Sequence, residues 1–159
     1  MIDGKLSAWA QRHGVTAQAL AELALVFDGA EHGISDATPG SEQRLQSELR
    51  IEASRRGCAL WRNNTGVAID KTGRAIRYGL ANDSARINAV FKSSDLIGIT
   101  PIHHAGLTFG VFTAFECKRI GFKGPSTDHE QAQNNYLMKV AALGGIARFV
   151  TRKEDAYGA

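Results

Sequence analysis

Residues 93–118 read SSDLIGITPIHHAGLTFGVFTAFECK, and this stretch decides the fold. Asp95 to Thr100 and Gly110 to Lys118 are apolar, β-branched and aromatic runs. With PIHHAGLTF (101–109) between them as the connection, they form the pattern of a hairpin whose two strands are predicted to be central. Alternation along GVFTAFECK places Glu116 and Lys118 on one face and turns Cys117 away. A Glu/Lys pair at a strand end is by itself most often a solvated surface pair. Asp95 changes that reading, because it opens the preceding strand, and an antiparallel hairpin sets its carboxylate beside Glu116 at a cross-strand spacing of about 5 Å. Two carboxylates so placed repel unless a cation lies between them, and oxygen ligands of this kind suit Mg²⁺ or Mn²⁺.

Outward from this hairpin, Ser41 is placed to cap SEQRLQSELRIEASRRG (41–57), where Leu45, Leu49 and Ala53 fall on one helical stripe and Gly57 supplies the stop. Cys58 to Asn63 reads as a short strand. Val67 to Asp70 and Arg74 to Tyr78 flank Lys71-Thr72-Gly73 as a small inserted hairpin. On the other side, Gly121 to Asp128 is a loop, Glu130 to Leu143 a helix, and Ile146 to Thr151 a last strand after Gly144-Gly145. The expected class is α/β, with core order α-β-β-β-α-β. Residues 5–27 show helical spacing on either side of His13-Gly14, with Thr16 as a cap, which predicts an N-terminal helical hairpin; Asp28 to Gly40 reads as a linker. The apolar spacing of that hairpin resembles a helix-turn-helix unit, but its second helix offers Gln18 and Glu22 and no Lys or Arg, so a packing or partner-binding role is favoured over DNA reading. The expected organisation is a head over residues 1–40 and a main domain over residues 41–159.

The chain has 159 residues, 43% of them hydrophobic, which suits one ordinary core. No apolar run approaches the length of a membrane span, and the N-terminal residues lack the pattern of a signal peptide, so an intracellular, cytoplasmic protein without membrane attachment is expected. Cys58 and Cys117 lack any metal-ligand spacing and read as buried thiols. The net charge of +3 is unevenly spread: residues 1–40 carry −3, leaving +6 on residues 41–159. A basic body of this kind suits a polyanionic partner, nucleic acid foremost.

Asp95 followed by Glu116-Cys117-Lys118 resembles the PD-(D/E)XK nuclease signature, with Ser94 where proline often stands. The surrounding text is more specific. SEQRLQSELRIEASRRG, LWRNNTG, IRYGL, SSDLIGI, VFTAFECK and QNNYLMKVAALGGIARFV resemble the VRR-NUC family in order and spacing, over roughly residues 41–151. The likeness is to the small stand-alone members found in phages and bacteria. The resemblance implies a restriction-endonuclease-like core and a Mg²⁺-dependent (or Mn²⁺-dependent) endonuclease that cuts branched DNA, four-way junctions included, as a homodimer, in a bacterial cell and of phage or prophage origin. It also implies the site. Asp95 and Glu116 match the metal-binding carboxylates, the main-chain carbonyl of Cys117 a further ligand, and Lys118 the catalytic lysine. Gln133 matches the helix-borne glutamine, whose amide would orient the attacking water, in preference to Gln131. Glu42, with Gln46 after it, matches the helix-borne acid in preference to Glu48.

The chemistry asks for these residue types on its own account. Phosphodiester hydrolysis builds negative charge on the phosphoryl oxygens and the leaving 3′ oxygen, which a divalent ion stabilises while lowering the pKa of its bound water. Lys118 would hold the nucleophilic water and offset charge at the phosphate. The family match also implies that Trp61, Arg62, Asn63, Asn64, Arg77 and Tyr78 contact the sugar-phosphate backbone; for Arg62 and Arg77 a solvated surface role weighs equally. His103 and His104 read as loop surface. GFKGPST (121–127) lacks the Gly-Lys-Ser/Thr ending of a nucleotide loop, so no nucleotide cofactor is expected. The competing readings are a non-catalytic nucleic-acid-binding module and a regulatory module on the same fold.

Overall fold

A computed structural model describes residues 4–20, 22, 23, 38 and 40–157. The elements are α1 (Gly4–Arg12), α2 (Glu42–Arg55), β1 (Ala59–Arg62), β2 (Gly66–Ile69), β3 (Ala75–Tyr78), α3 (Ala85–Val90), β4 (Leu96–His104), β5 (Leu107–Cys117), α4 (Asp128–Ala142), β6 (Ile146–Val150) and α5 (Lys153–Ala156). Most of the expected elements form within a residue or two of the spans read from the pattern. The class is α/β, and from α2 to β6 the order is α-β-β-β-α-β, with β2, β3 and α3 inserted between β1 and β4.

The main sheet has the order β1-β4-β5-β6. Strands β1, β4 and β5 run antiparallel, while β6 runs parallel to β5. A parallel neighbour needs a crossover, which α4 supplies. Strand β5 is central, and from Thr113 to Cys117 every residue is buried. Both faces of that segment are covered. Phe115 and Cys117 join Leu45, Leu49, Leu60, Leu96 and Val150 in one cluster, under α2. Ala114 joins Tyr136 and Leu137 of α4 in a second cluster on the other face.

Local chemistry fixes the two helices that flank the sheet. The Ser41 hydroxyl accepts from the Arg44 N–H at 3.2 Å, and Leu45, Leu49 and Ala53 are buried as the stripe requires. Gly57 follows with φ +70°, a left-handed stop that a residue with a Cβ adopts only under strain. At the start of α4, Thr127 and Glu130 form a reciprocal capping box. The Ser126 and Thr127 N–H groups and the Ser126 hydroxyl all donate to the Glu130 carboxylate, which holds it down at about 2, the Ser126 main-chain bond contributing most.

Three differences from the sequence reading stand out. PIHHAGLTF is strand rather than connection: β4 continues to His104, β5 begins at Leu107, and the turn is only Ala105-Gly106, with φ +50° and +77°. Two consecutive positive φ values give the twist that suits a tight hairpin. Helices α3 and α5 were not foreseen. Cys58 is half-buried rather than buried, whereas Cys117 is fully buried; both thiols are free.

At the N-terminus, residues 17–20, 22 and 23 are helical, with the Thr16 hydroxyl accepting from the Ala19 N–H at 3.1 Å. This segment rests on the last residue of α2: the Gln18 amide donates to the Arg55 carbonyl at 3.0 Å, and Arg55 pairs with Glu22 at 3.2 Å. Ala10 and Leu20 are buried. The linker expected over 28–40 lies outside the described residues except for 38 and 40. No helix among the described residues is long and apolar enough to cross a membrane.

Candidate active site

Four residues singled out in the sequence meet at the ends of β4 and β5. The register pairs Leu96 with Phe115, which places Asp95 opposite Glu116 one step further along. The main chain locks the two carboxylates crosswise: the Cys117 N–H donates to Asp95 Oδ2 at 3.0 Å, and the Asp95 N–H donates to Glu116 Oε2 at 3.2 Å. Each acid therefore gives one oxygen to the neighbouring strand. The Lys118 ammonium donates to Glu116 Oε1 at 3.0 Å and to Gln133 Oε1 at 2.9 Å, while the Gln133 amide donates to the same Glu116 oxygen. Glu116, Lys118 and Gln133 thus close a triangle of hydrogen bonds. Glu116 is only 2% exposed and Gln133 5%, so this is a buried arrangement and not a solvated pair on a strand end.

Burial sets the electrostatics. It raises the Asp95 carboxyl, against the pull of the Cys117 N–H and of Lys118. Burial also raises Glu116, and the charge of Asp95 adds to it, so that Glu116 is pushed up to about 7. Lys118 offsets part of this but not all. Such a site carries more negative charge than its own cation compensates, which is the condition under which a divalent ion is drawn in. The metal donors brought together here are the two carboxylates, the Cys117 N–H being a hydrogen-bond donor to Asp95 and no ligand. Such an all-oxygen set fits Mg²⁺ or Mn²⁺ better than softer ions. Among the described residues no three His, Cys, Asp or Glu side chains form a metal-holding group, so an ion here would complete its shell with main-chain oxygen and water.

Helix α2 brings two more polar side chains to Asp95. Gln46 hydrogen-bonds the Asp95 carboxylate, and the Glu42 charge pushes the Asp95 and Cys117 acids upward. Glu48, the other candidate acid, points elsewhere and pairs with Arg44 at 3.0 Å. On α4, Gln131 is exposed and bonds Asn135. The sequence signal for Gln46 is its spacing of four from Glu42, which puts both on one helix face.

The remaining readings separate clearly. The Asn63 amide donates to the Ser93 hydroxyl at 2.8 Å and to the Ser94 carbonyl at 2.9 Å, and its oxygen accepts from the Leu80 N–H, so Asn63 fastens the inserted segment to the turn before Asp95. Arg77 donates to Asn82, a framework contact. Tyr78 leans over Gly66, where a Cβ would collide with its ring. Trp61, Arg62 and Tyr78 are exposed. His103 bonds Thr108 across the hairpin, on the ribbon and not in a loop. At the rim, the Lys92 ammonium lies 3.4 Å from His129, whose imidazole is held low by burial and by Lys92.

Fold and site together define a mixed-sheet α/β protein with an Asp-Glu-Lys-Gln constellation at a strand end, Glu116 and Gln133 buried and Asp95 and Lys118 half-buried. No family model, curated protein or solved structure matches the chain.

Proposed function

We propose that this chain is a metal-dependent endonuclease of the VRR-NUC type on a PD-(D/E)XK core, hydrolysing phosphodiester bonds in DNA, branched DNA foremost, as a homodimer. The observation that carries the reading is the crosswise-locked Asp95–Glu116 pair, Glu116 buried and Asp95 half-buried, beside a lysine that is itself held by Gln133. A merely structural ion pair needs one acid, and a second buried acid raises the first at a cost in stability. The arrangement makes sense when a cation and a phosphate are to be received.

Asp95, Glu116 and the Cys117 carbonyl would hold the ion, with Glu42 and Gln46 orienting Asp95 from α2. When bound, the ion supplies positive charge at the phosphoryl oxygens and activates water. The chain's own contribution is positional. Gln133 binds both Glu116 and Lys118, giving one amide N–H to the acid and accepting from the lysine on its oxygen, which makes it a positioning group and leaves its second N–H for the attacking water. Lys118, with donors already aimed at this oxygen cluster, would hold the attacking water and offset charge at the phosphate. The excess of six positive charges on residues 41–159 would draw the polyanion.

The test is direct. Purified protein is incubated with four-way junction, flap, duplex and single-stranded DNA in Mg²⁺, Mn²⁺ or EDTA, beside Lys118→Ala and Asp95→Asn. Cleavage confined to the metal samples, slowed roughly a hundredfold or more by either substitution with DNA binding kept, supports the reading. Cutting that survives EDTA, or no cutting of any of the four DNAs, overturns it. Light scattering reads the dimer, and mixing wild type with excess Lys118→Ala should leave junctions nicked in one strand.

A further inference from the structure

Lys118 has a second side. Away from Glu116 and Gln133 it lines a recess of about 200 Å³ between the start of α2 and the segment that follows β6. Four cations border this recess, namely Arg44, Lys118, Arg152 and Lys153, against two carboxylates, Glu48 and Glu154. Glu48 is already matched by Arg44. Arg152 and Lys153 make no side-chain hydrogen bond or ion pair among the described residues. Cationic groups lining a concavity without partners leave a positive potential that an anion of matching size relieves.

The position of the recess narrows the choice of anion. It shares Lys118 with the candidate active site, so whatever enters it lies next to whatever is bound at Asp95 and Glu116. No aromatic side chain lines it, so it offers no ring on which a base could stack. We propose that the recess holds a second phosphodiester group of the strand being cut, the linkage adjacent to the scissile one. The Lys118 ammonium stays with Glu116 and Gln133 on the side of the scissile linkage, and Arg152 and Lys153 take the neighbouring phosphate and set which linkage reaches the carboxylates. Arg152 and Lys153 are positioning residues in this scheme.

The inference rests on the nuclease reading, and the experiment separates the two. Full-length wild type, Arg152→Gln/Lys153→Gln, and the control Lys71→Gln/Lys139→Gln are titrated with a labelled four-way junction in EDTA over a series of KCl concentrations. Lys71 lies in the β2–β3 turn and Lys139 in the last turn of α4, both away from the recess. The recess variant should bind roughly tenfold more weakly at moderate salt, with its salt slope reduced by about two counterions, while the control stays within about twofold of wild type. Arg152→Gln alone should show about half the change in slope. Once the cut is mapped with Mg²⁺, an uncharged methylphosphonate at the adjacent linkage should weaken wild type and leave the recess variant unaltered. A recess variant that behaves like the control, a control that loses as much as the recess variant, or a methylphosphonate that weakens both proteins equally overturns the inference. A wild type that cuts no DNA overturns the nuclease reading and the adjacent-linkage assignment with it, whereas a wild type that cuts while the salt slopes of recess variant and control coincide overturns the recess alone.

Discussion

At the scale of single residues, Glu116 concentrates the tension in the site. Its folded pKa of about 7 exceeds the ordinary 4.5, so it binds more protons folded than unfolded. The stability it contributes is therefore complete below about pH 4.5 and is lost as pH rises through about 7, a loss on the order of 3 kcal/mol. Asp95, also raised, acts in the same direction. His129 is lowered and acts oppositely near its own titration, whereas Glu130 and Asp70 are lowered and act only at more acid pH. The metal-free protein should accordingly melt at a lower temperature near pH 8 than near pH 5.5. Glu116→Gln should flatten that profile, and added Mg²⁺ should raise the melting temperature more at the higher pH. Calorimetry in EDTA and in Mg²⁺ reads this without any assay of cleavage. A profile that rises with pH and is indifferent to Glu116→Gln would show that the two acids do not oppose each other.

At the scale of elements, the position of Asp95 depends on how closely β1 approaches β4. Gly98 lies opposite Leu60, and a Cβ built on it would stand 1.9 Å from the Ala59 carbonyl oxygen. That atom is backbone and has no rotamer to yield. Gly98→Ala should therefore cost about 2 kcal/mol or more, seen as a lower urea midpoint, and should reduce cleavage by shifting the strand that carries Asp95. The elements of the main sheet and its flanking helices that sequence revealed are those whose burial leaves a period: the Leu45-Leu49-Ala53 stripe, the apolar run of β5, and the Ala132-Gln133-Tyr136-Leu137 face of α4; the β2–β3 hairpin, with no buried residue, showed through its Lys71-Thr72-Gly73 turn instead. Helix α3 leaves no such trace, because none of its residues is buried. It is held through the Ser84 cap and the bond from Asn135 to the Val90 carbonyl. The Ala105-Gly106 turn was equally silent, since alanine at positive φ carries none of the Asn-Gly signal by which such turns are read. The acids and lysine were legible from strand alternation. The preference for Gln133 over Gln131 came from resemblance alone, and in the fold burial separates them.

At the scale of the whole molecule, the described helical residues 17–20, 22 and 23 of the acidic head meet α2 at its far end from the site. Residues 1–40 carry −3, and Gln18 and Glu22 among them engage Arg55, at the opposite end of α2 from Glu42 and so about 20 Å away along the axis. Deleting residues 1–37 should lower the melting temperature by a few degrees through exposure of that helix end, yet leave the rate of cleavage per folded molecule unchanged and DNA affinity equal or slightly higher. Loss of cleavage at temperatures where the truncated protein is folded would assign the head to the site. The β4–β5 hairpin shows a different division. Strand β1 reaches no further than Ile99 on one side, and β6 starts opposite Thr113 on the other. The tip, which carries the exposed Ile102, Leu107 and Phe109, is thus a two-stranded ribbon joined to a four-stranded sheet. A single strand, β5, then spans two regimes of amide protection. In deuterium, its N–H groups from Leu107 to Phe112 should exchange through local opening in a short time, while those from Thr113 to Cys117 should persist until the whole domain unfolds.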